Sequence, residues 1–475
     1  MSKRHLRRVA YGFLIAVLGI AGTAGAYLTF FKKDVTTSSS EAYRLYEKGR
    51  ENELKLYQRD AIAAYGEALG HDCKFGMAML RLGANLYDRD PGRARSLVQA
   101  AVNLRDDLSR HERLLVDVYA ARALEQGPEK EALTIDAFVK AFPSDPEGHM
   151  LRAGLLSKQG KPELAQAEFE TLLTIDPNYA AGYNSLGYYA IGRGDFKKAE
   201  DYFLRYRFLA PDQANPYDSL GELYANTGRY EEAEENLTKA LAIKPDFYPS
   251  HGHLGTMRFG KGDFRGAAEE FEAAASIIES PLARLDFTAA AALSLREAGE
   301  TGRALALLEA WQAEVKSSLT SEATYGSRPM RAQLIVAIAQ ALSGRASDAE
   351  ASLAEAKKMR EAVLAKHPER KKDSDGGFAT AEAMLKAAKG DKAGAAEDLE
   401  KVVAKPSERL EFGYFPGEIR TRVCLAELYA DLGRNEEAAE ALKPVLARNP
   451  RFAPALGLAN RIGLAVPEKP APTRS

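Results

Sequence analysis

The sequence predicts an all-α chain of about eleven stacked helix pairs behind one N-terminal transmembrane helix. Three observations carry the stacked pairs. Pro143, Pro177, Pro211 and Pro245 recur at one constant interval, about 34 residues, the length of a helix–turn–helix repeat. Between them the same small and bulky residues return in the same order: Leu186-Gly187, Ala199 and Phe203, then Leu220-Gly221, Ala233 and Leu237, then Leu254-Gly255, Ala267 and Phe271. A turn dipeptide, Gly194-Asp195, Gly228-Arg229 or Gly262-Asp263, divides each block into two stretches of helical apolar periodicity.

An aromatic or histidine (Tyr183, Tyr217, His251) precedes each Leu-Gly pair, and Tyr224, the alanines, Phe203 and the prolines complete the pattern at that same period. This resembles the tetratricopeptide repeat (TPR) signature over several consecutive blocks. The resemblance implies a right-handed solenoid. Gly187 and Ala199 carry almost no side chain, so paired helices approach closely there. Tyr183, Leu186 and Phe203 fill the surrounding space at helical spacing. Pro211 lacks a backbone N–H and disfavours helix in the residue before it, which ends the second helix. One pair cannot bury its apolar face alone, but stacked pairs can.

In chain order, residues 1–8 are basic through Lys3, Arg4, Arg7 and Arg8. Val9 to Phe31 then runs 23 residues without a charge, about 34 Å as a helix and enough to cross a hydrocarbon core of about 30 Å. Tyr11, Tyr27, Phe30 and Phe31 sit near its ends as interfacial aromatics do. The basic flank predicts a cytoplasmic N-terminus and an exported array. The competing expectation is a signal peptide cut near Ala26, in the A-x-A-like Ala24-Gly25-Ala26; the apolar run continues past it, which favours an anchor. Gly12/Ala16 and Gly22/Ala26 are small-xxx-small pairs that would support a homo-oligomer in lipid, although an Ala/Gly-rich composition produces such pairs too.

Residues 32–40 read as a polar linker and 41–145 as degenerate repeats: Gly49, Ala61, Tyr65 and Ala68 fit a first unit, and Leu82-Gly83, Leu86, Val98 and Ala101 a second. Residues 146–281 are the regular repeats. Residues 282–463 are irregular repeats with a closing helix over 453–462. Their last unit holds Leu425-Ala426, Tyr429, Gly433, Ala438, Leu442 and Pro450, and Trp311 falls at a small position of the eighth. Long connectors are expected at 316–329, 363–377 and 404–418. The second carries Arg370-Lys371-Lys372. The third carries Phe412, Tyr414 and Phe415, which either contact a partner or cover the junction between neighbouring pairs. Residues 464–475, with three prolines, read as a disordered tail.

The formal charge is −2, but residues 1–33 hold six basic residues and no acid, which leaves 59 basic against 67 acidic residues and −8 on the remainder. An acidic body argues against nucleic-acid binding. Cys73 and Cys424 have no CxxC partner and are expected to be buried small residues, too far apart to pair. No phosphate loop, H-E-x-x-H or G-x-S-x-G is present, and no catalytic, metal or cofactor residue is assigned. His149 and His251 occupy the aromatic packing position. His251 and His253, two apart, do not share a helix face. Glu231, Glu232, Glu234 and Glu235 open a second helix, where the dipole favours acid, and read as solvated.

In TPR proteins the first helix of each pair lines a concave groove where peptides lie. The resemblance therefore implies Asn184, Tyr188, Asp218, Glu222, Asn226 and Thr256 as partner-binding positions. The basic members of the family's carboxylate clamp are missing, and Asp218 and Glu222 would repel a peptide C-terminus. The asparagines do not continue into a ladder. A mixed aromatic and acidic groove suits a segment with basic and apolar residues; the bland alternative is that each is an ordinary solvated residue. The expectation is a non-enzymatic, single-pass inner-membrane scaffold of bacterial type. Its array would be periplasmic and would hold protein or peptide partners for envelope assembly or export. The alternatives are a cytosol-facing docking or import receptor and a non-catalytic subunit of a membrane enzyme complex.

Overall fold

The computed structural model describes residues 35–87, 89–279, 284–318, 327–366, 375–404 and 417–465. Among these are 23 α-helices and no strand, which makes eleven pairs and one closing helix of a TPR-like solenoid. No helix among the described residues is long and apolar enough to cross a membrane. The expected span Val9–Phe31, the basic Arg370-Lys371-Lys372, the aromatics Phe412, Tyr414 and Phe415, and the tail from Val466 onward lie outside the described residues. The chain divides into two compact units, 1–148 and 149–475.

The first unit contains α1 (Ser40–Leu54), α2 (Gln58–His71), α3 (Gly76–Leu86), α4 (Pro91–Asn103), α5 (Arg110–Ala123) and α6 (Pro128–Ala141), and the start of α7 (Pro146–Lys158). The polar stretch before α1 is tied down. The Thr36 amide and hydroxyl donate to the two carboxylate oxygens of Glu112 at 2.6 and 2.7 Å, and the Thr37 hydroxyl donates to Asp72 at 2.6 Å. Glu112 is fully buried, so these donors are the condition on which a carboxylate can sit there. Arg81, also buried, donates to the Tyr119 hydroxyl at 3.1 Å and pairs with Glu147.

The second unit continues with α8 (Pro162–Ile175), α9 (Ala180–Gly192), α10 (Phe196–Leu209), α11 (Ala214–Thr227), α12 (Tyr230–Ile243), α13 (Tyr248–Lys261), α14 (Phe264–Ile277), α15 (Leu285–Glu297) and α16 (Thr301–Ser318). It ends with α17 (Ser327–Leu342), α18 (Ala346–Lys366), α19 (Asp375–Ala388), α20 (Lys392–Val403), α21 (Gly417–Asp431), α22 (Asn435–Arg448) and α23 (Ala453–Arg461). Within a pair the expected close approach is present. A Cβ on Gly255 would lie 2.7 Å from the ring of Phe271, which is itself fully buried. Gly228 and Gly262 close their first helices at φ 79° and 87°, a left-handed conformation that glycine adopts without strain.

The aromatic and proline positions prove to be one device. The hydroxyls of Tyr183 and Tyr217 donate to the carbonyls of Pro177 and Pro211 at 3.1 and 3.0 Å, and His251 Nε2 lies 3.3 Å from the Pro245 carbonyl. A polar-tipped ring six positions on therefore satisfies a carbonyl just beyond the helix end. His149 and His251 also bind Glu168 and Glu270 through Nδ1 at 2.7 and 2.8 Å, a structural role.

Two expectations need correction. The connectors after Val315 and before Gly377 are shorter than expected, because α16 runs 18 residues to Ser318, α18 runs 21 residues to Lys366, and α19 already starts at Asp375. The extension of α18 is rich in Ala, Glu, Lys and Leu, which propagate a helix until something stops it. Cys73 is exposed, in the turn between α2 and α3, while Cys424 is buried; both are free thiols. Trp311 is buried against Leu285, Ala332 and Val336.

Adding one methyl group separates the packing glycines from the others. Gly255→Ala forces a carbon into the Phe271 ring and should destabilise the second unit by about 2 kcal/mol. Gly154, on α7, has open space around it, so Gly154→Ala should be neutral or stabilising by up to about 1 kcal/mol. Urea unfolding midpoints of the two variants check the contrast.

Candidate functional site

Three successive first helices, α9, α11 and α13, bring the six groove positions together. Positions one period apart are equivalent, so Tyr188, Glu222 and Thr256 form one row across the helices and Asn184 and Asp218 begin another. Along α11, Asp218, Glu222 and Asn226 recur at every fourth position and share one stripe.

That stripe is not open to solvent. Asp218, Glu222 and Asn226 are only 2%, 5% and 5% exposed. Their polar atoms are bonded within the unit. The Tyr188 hydroxyl donates to Glu222 at 2.7 Å. The Ser250 hydroxyl donates to Asp218 at 2.7 Å, and His253 Nδ1 lies 2.9 Å from the same oxygen. His253 Nε2 is 3.6 Å from the other carboxylate, Glu222. Asn226 donates to the Glu222 carbonyl and Thr256 to the Gly252 carbonyl. Ser219 donates to the Asn184 side chain at 2.9 Å. The solvated alternative therefore does not hold for Asp218, Glu222 and Asn226. Of the six, Tyr188 is the one whose ring is exposed, at 37%, with Asn184 and Thr256 half-buried beside it.

The histidine at the centre went unrecognised in the sequence. Burial works against its charge, but the Asp218 and Glu222 carboxylates outweigh it and push His253 up to about 10. Glu222 responds in the opposite sense: burial would raise it, yet His253 and the Tyr188 hydroxyl hold it below the ordinary carboxylate value. The set is a buried cation shared between two carboxylates, and it ties α11 to α13 while Tyr188 adds α9. No local signal marks it, because His253 lies opposite Asp218 only once two repeats have stacked.

A second unforeseen feature closes this face. The turn between α22 and α23 packs back onto α11 and α12, which lie far earlier in the chain. Asn449 donates to the Ala225 carbonyl and accepts from the Tyr230 hydroxyl, both at 3.3 Å. Arg451 grips Glu231 with two nitrogens at 2.6 and 2.8 Å and lies 4.9 Å above the Tyr230 ring. Glu231, expected to be solvated, is held down at about 2 by that guanidinium. Beneath the turn lies a cavity whose open volume, mouth included, is about 780 Å³. Its walls come from α11, α13, α15, α17, α21 and the turn itself. Among the described residues no group of three or more His, Cys, Asp or Glu could hold a metal ion.

The class defined by this geometry is an all-α protein of stacked helix pairs with a shared inner face. Tetratricopeptide repeat family models match residues 152–214 and 214–247, so the chain carries tetratricopeptide repeats. No curated protein matches it. Solved structures similar to it include PilW, a widely conserved type IV pilus biogenesis factor, at 22% identity over 43% of this chain and 95% of that one, with a TM-score of 0.36. The human IFIT1 dimer with m7Gppp-AAAA matches at 15% identity over 78% and 91%, with a TM-score of 0.44. MamA from Desulfovibrio magneticus RS-1 matches at 26% identity over 33% and 90%, with a TM-score of 0.29.

Replacing His253 with leucine strands two buried carboxylates and should cost about 3 kcal/mol at neutral pH. The pH dependence has a definite sign. The folded value, about 10, lies above the ordinary 6.5, so the stabilisation from His253 is complete below about pH 6.5, declines above it and is gone above about pH 10. Urea unfolding of the wild type and His253→Leu from pH 6 to 10.5 should show their difference shrinking across that window.

Proposed function

We propose that the protein is a membrane-anchored, non-catalytic scaffold that holds protein or peptide partners, with its repeats on the outer side of a bacterial inner membrane and a role in envelope assembly or export. The repeats support the binding part of this reading, since stacked pairs offer an extended surface for partner segments. The charge-free stretch Val9–Phe31 and its basic flank support the anchor and the orientation.

One observation carries the choice of contact residues. With Asp218, Glu222 and Asn226 committed to the internal network, the contact on this face falls to the exposed ring of Tyr188, flanked by Asn184 and Thr256. An exposed aromatic held by a hydrogen bond from its own hydroxyl is a rigid apolar platform, which loses little entropy when a partner covers it.

The test is cross-linking and capture from native membranes with the full chain. Tyr188→Ala should lose the partners that the wild type captures, whereas Tyr188→Phe, which keeps the ring and drops only the bond to Glu222, should retain most of them. Equal capture by all three proteins would move the binding surface elsewhere, and no captured partner would sink the scaffold. Protease added to spheroplasts should degrade the repeats; full protection would overturn the outward orientation.

A further inference from the structure

The cavity under the α22–α23 turn holds one carboxylate that the described residues leave unsatisfied. Its walls are apolar through Phe259, Leu293, Leu342, Ile419, Val423 and Phe452. Its other amide, hydroxyl and charged side chains each have at least one partner, although the Nε atoms of Arg296 and Arg420 are buried without a hydrogen bond from the described residues. Asn226 and Asn449 bond to backbone carbonyls, Thr256 bonds to Gly252, and Arg296 pairs with Glu297. Arg420 also has a partner of its own. Glu427 differs. Only its backbone carbonyl is engaged, by Arg461 at 3.4 Å, and its half-buried carboxylate receives no hydrogen bond from the described residues. Burial pushes this carboxyl above its ordinary value, against the pull of Arg296, whose charge is already shared with Glu297.

We propose that this cavity is an anchor site for a partner segment in which an apolar side chain is followed by a basic one, the apolar group filling the space between Phe259 and Val423 and the ammonium pairing with Glu427. The site deepens the scaffold reading, on which it rests, by naming the chemistry of the bound segment. The charges of the lining decide the sign. Arg296 and Glu297 cancel, Arg420 is already engaged, and the carboxylate of Glu427 is left to attract a cation. An acidic segment would meet that carboxylate and two guanidinium groups that already have partners. A wholly apolar segment would bury Glu427 without a donor, which is costly.

The probes are two capped tetrapeptides, acetyl-Gly-Leu-Lys-Gly-amide and its norleucine analogue, which keeps the lysine stem without the charge. Each is titrated calorimetrically into the full chain. The lysine peptide should bind about tenfold more tightly than the norleucine peptide, the value of one charge-assisted hydrogen bond. Glu427→Gln, a near-isosteric change, should bring the two to equal affinity, and Val423→Trp should weaken both by filling the space. Bound lysine peptide should slow alkylation of Cys424, a cavity-lining thiol pushed up to about 12 by burial, and leave the exposed Cys73 unaffected. Binding of neither peptide, a lysine preference that survives Glu427→Gln, or binding without protection of Cys424 would each overturn the site. If membrane partners depend on Tyr188 while the peptides fail, the scaffold stands and this site falls. If the peptides behave as stated and no partner is captured, the site stands and the scaffold falls.

Discussion

The contact between a first-helix glycine and a bulky second-helix side chain is what the rest of the second unit depends on. Gly187 faces Phe203, Gly221 faces Leu237 and Gly255 faces Phe271, and in each case an added Cβ would overlap the opposing group. The bulky residues are fully buried, worth about 1.5–3 kcal/mol each. With no side chain at the glycine, the opposing side chain packs directly against the first helix, which sets how closely the paired helices approach. Stacking energies then accumulate between neighbours along the array.

Equivalent faces do not produce equivalent chemistry. On the inner side, the places one repeat apart hold Tyr188, Glu222 and Thr256, and the same geometry that lines them up also drives them together. Two carboxylates buried at 2% and 5% exposure would be intolerable alone. His253 makes them tolerable, and the shift of its titration toward about 10 records how strongly they hold its proton. The result is a polar lock in the position where open groove was expected, which leaves Tyr188 as the one exposed member of the six positions.

Much of the fold was legible because it follows from single residues. Glycine and alanine at the contact, proline after the helix and a polar-tipped ring six positions later each act locally, so their repetition could be read directly. The pairs were countable for the same reason, even where 282–463 becomes irregular. Helix lengths were less legible: α18 runs past its expected end since nothing in its Ala- and Glu-rich sequence breaks it. Cys73 was misread as buried although it sits between Asp72 and Lys74 in an exposed turn. The candidate site was legible only as a set of positions, since burial of Asp218 depends on Ser250 and His253, which belong to the next repeat.

By itself, then, the sequence determined the unit of structure: a helix pair that recurs about every 34 residues, with its close approach, its turn and its end. All of these are consequences of side-chain size and backbone freedom within one block. Tertiary structure alone decided what the inner face became. Asn449 and Arg451 reach back to Ala225, Tyr230 and Glu231, and small rotations between successive pairs must add up before that meeting exists. The physical reason is that periodicity specifies each neighbour contact, whereas closure, the cavity it encloses and the setting of the Glu427 carboxylate depend on the sum of many such contacts.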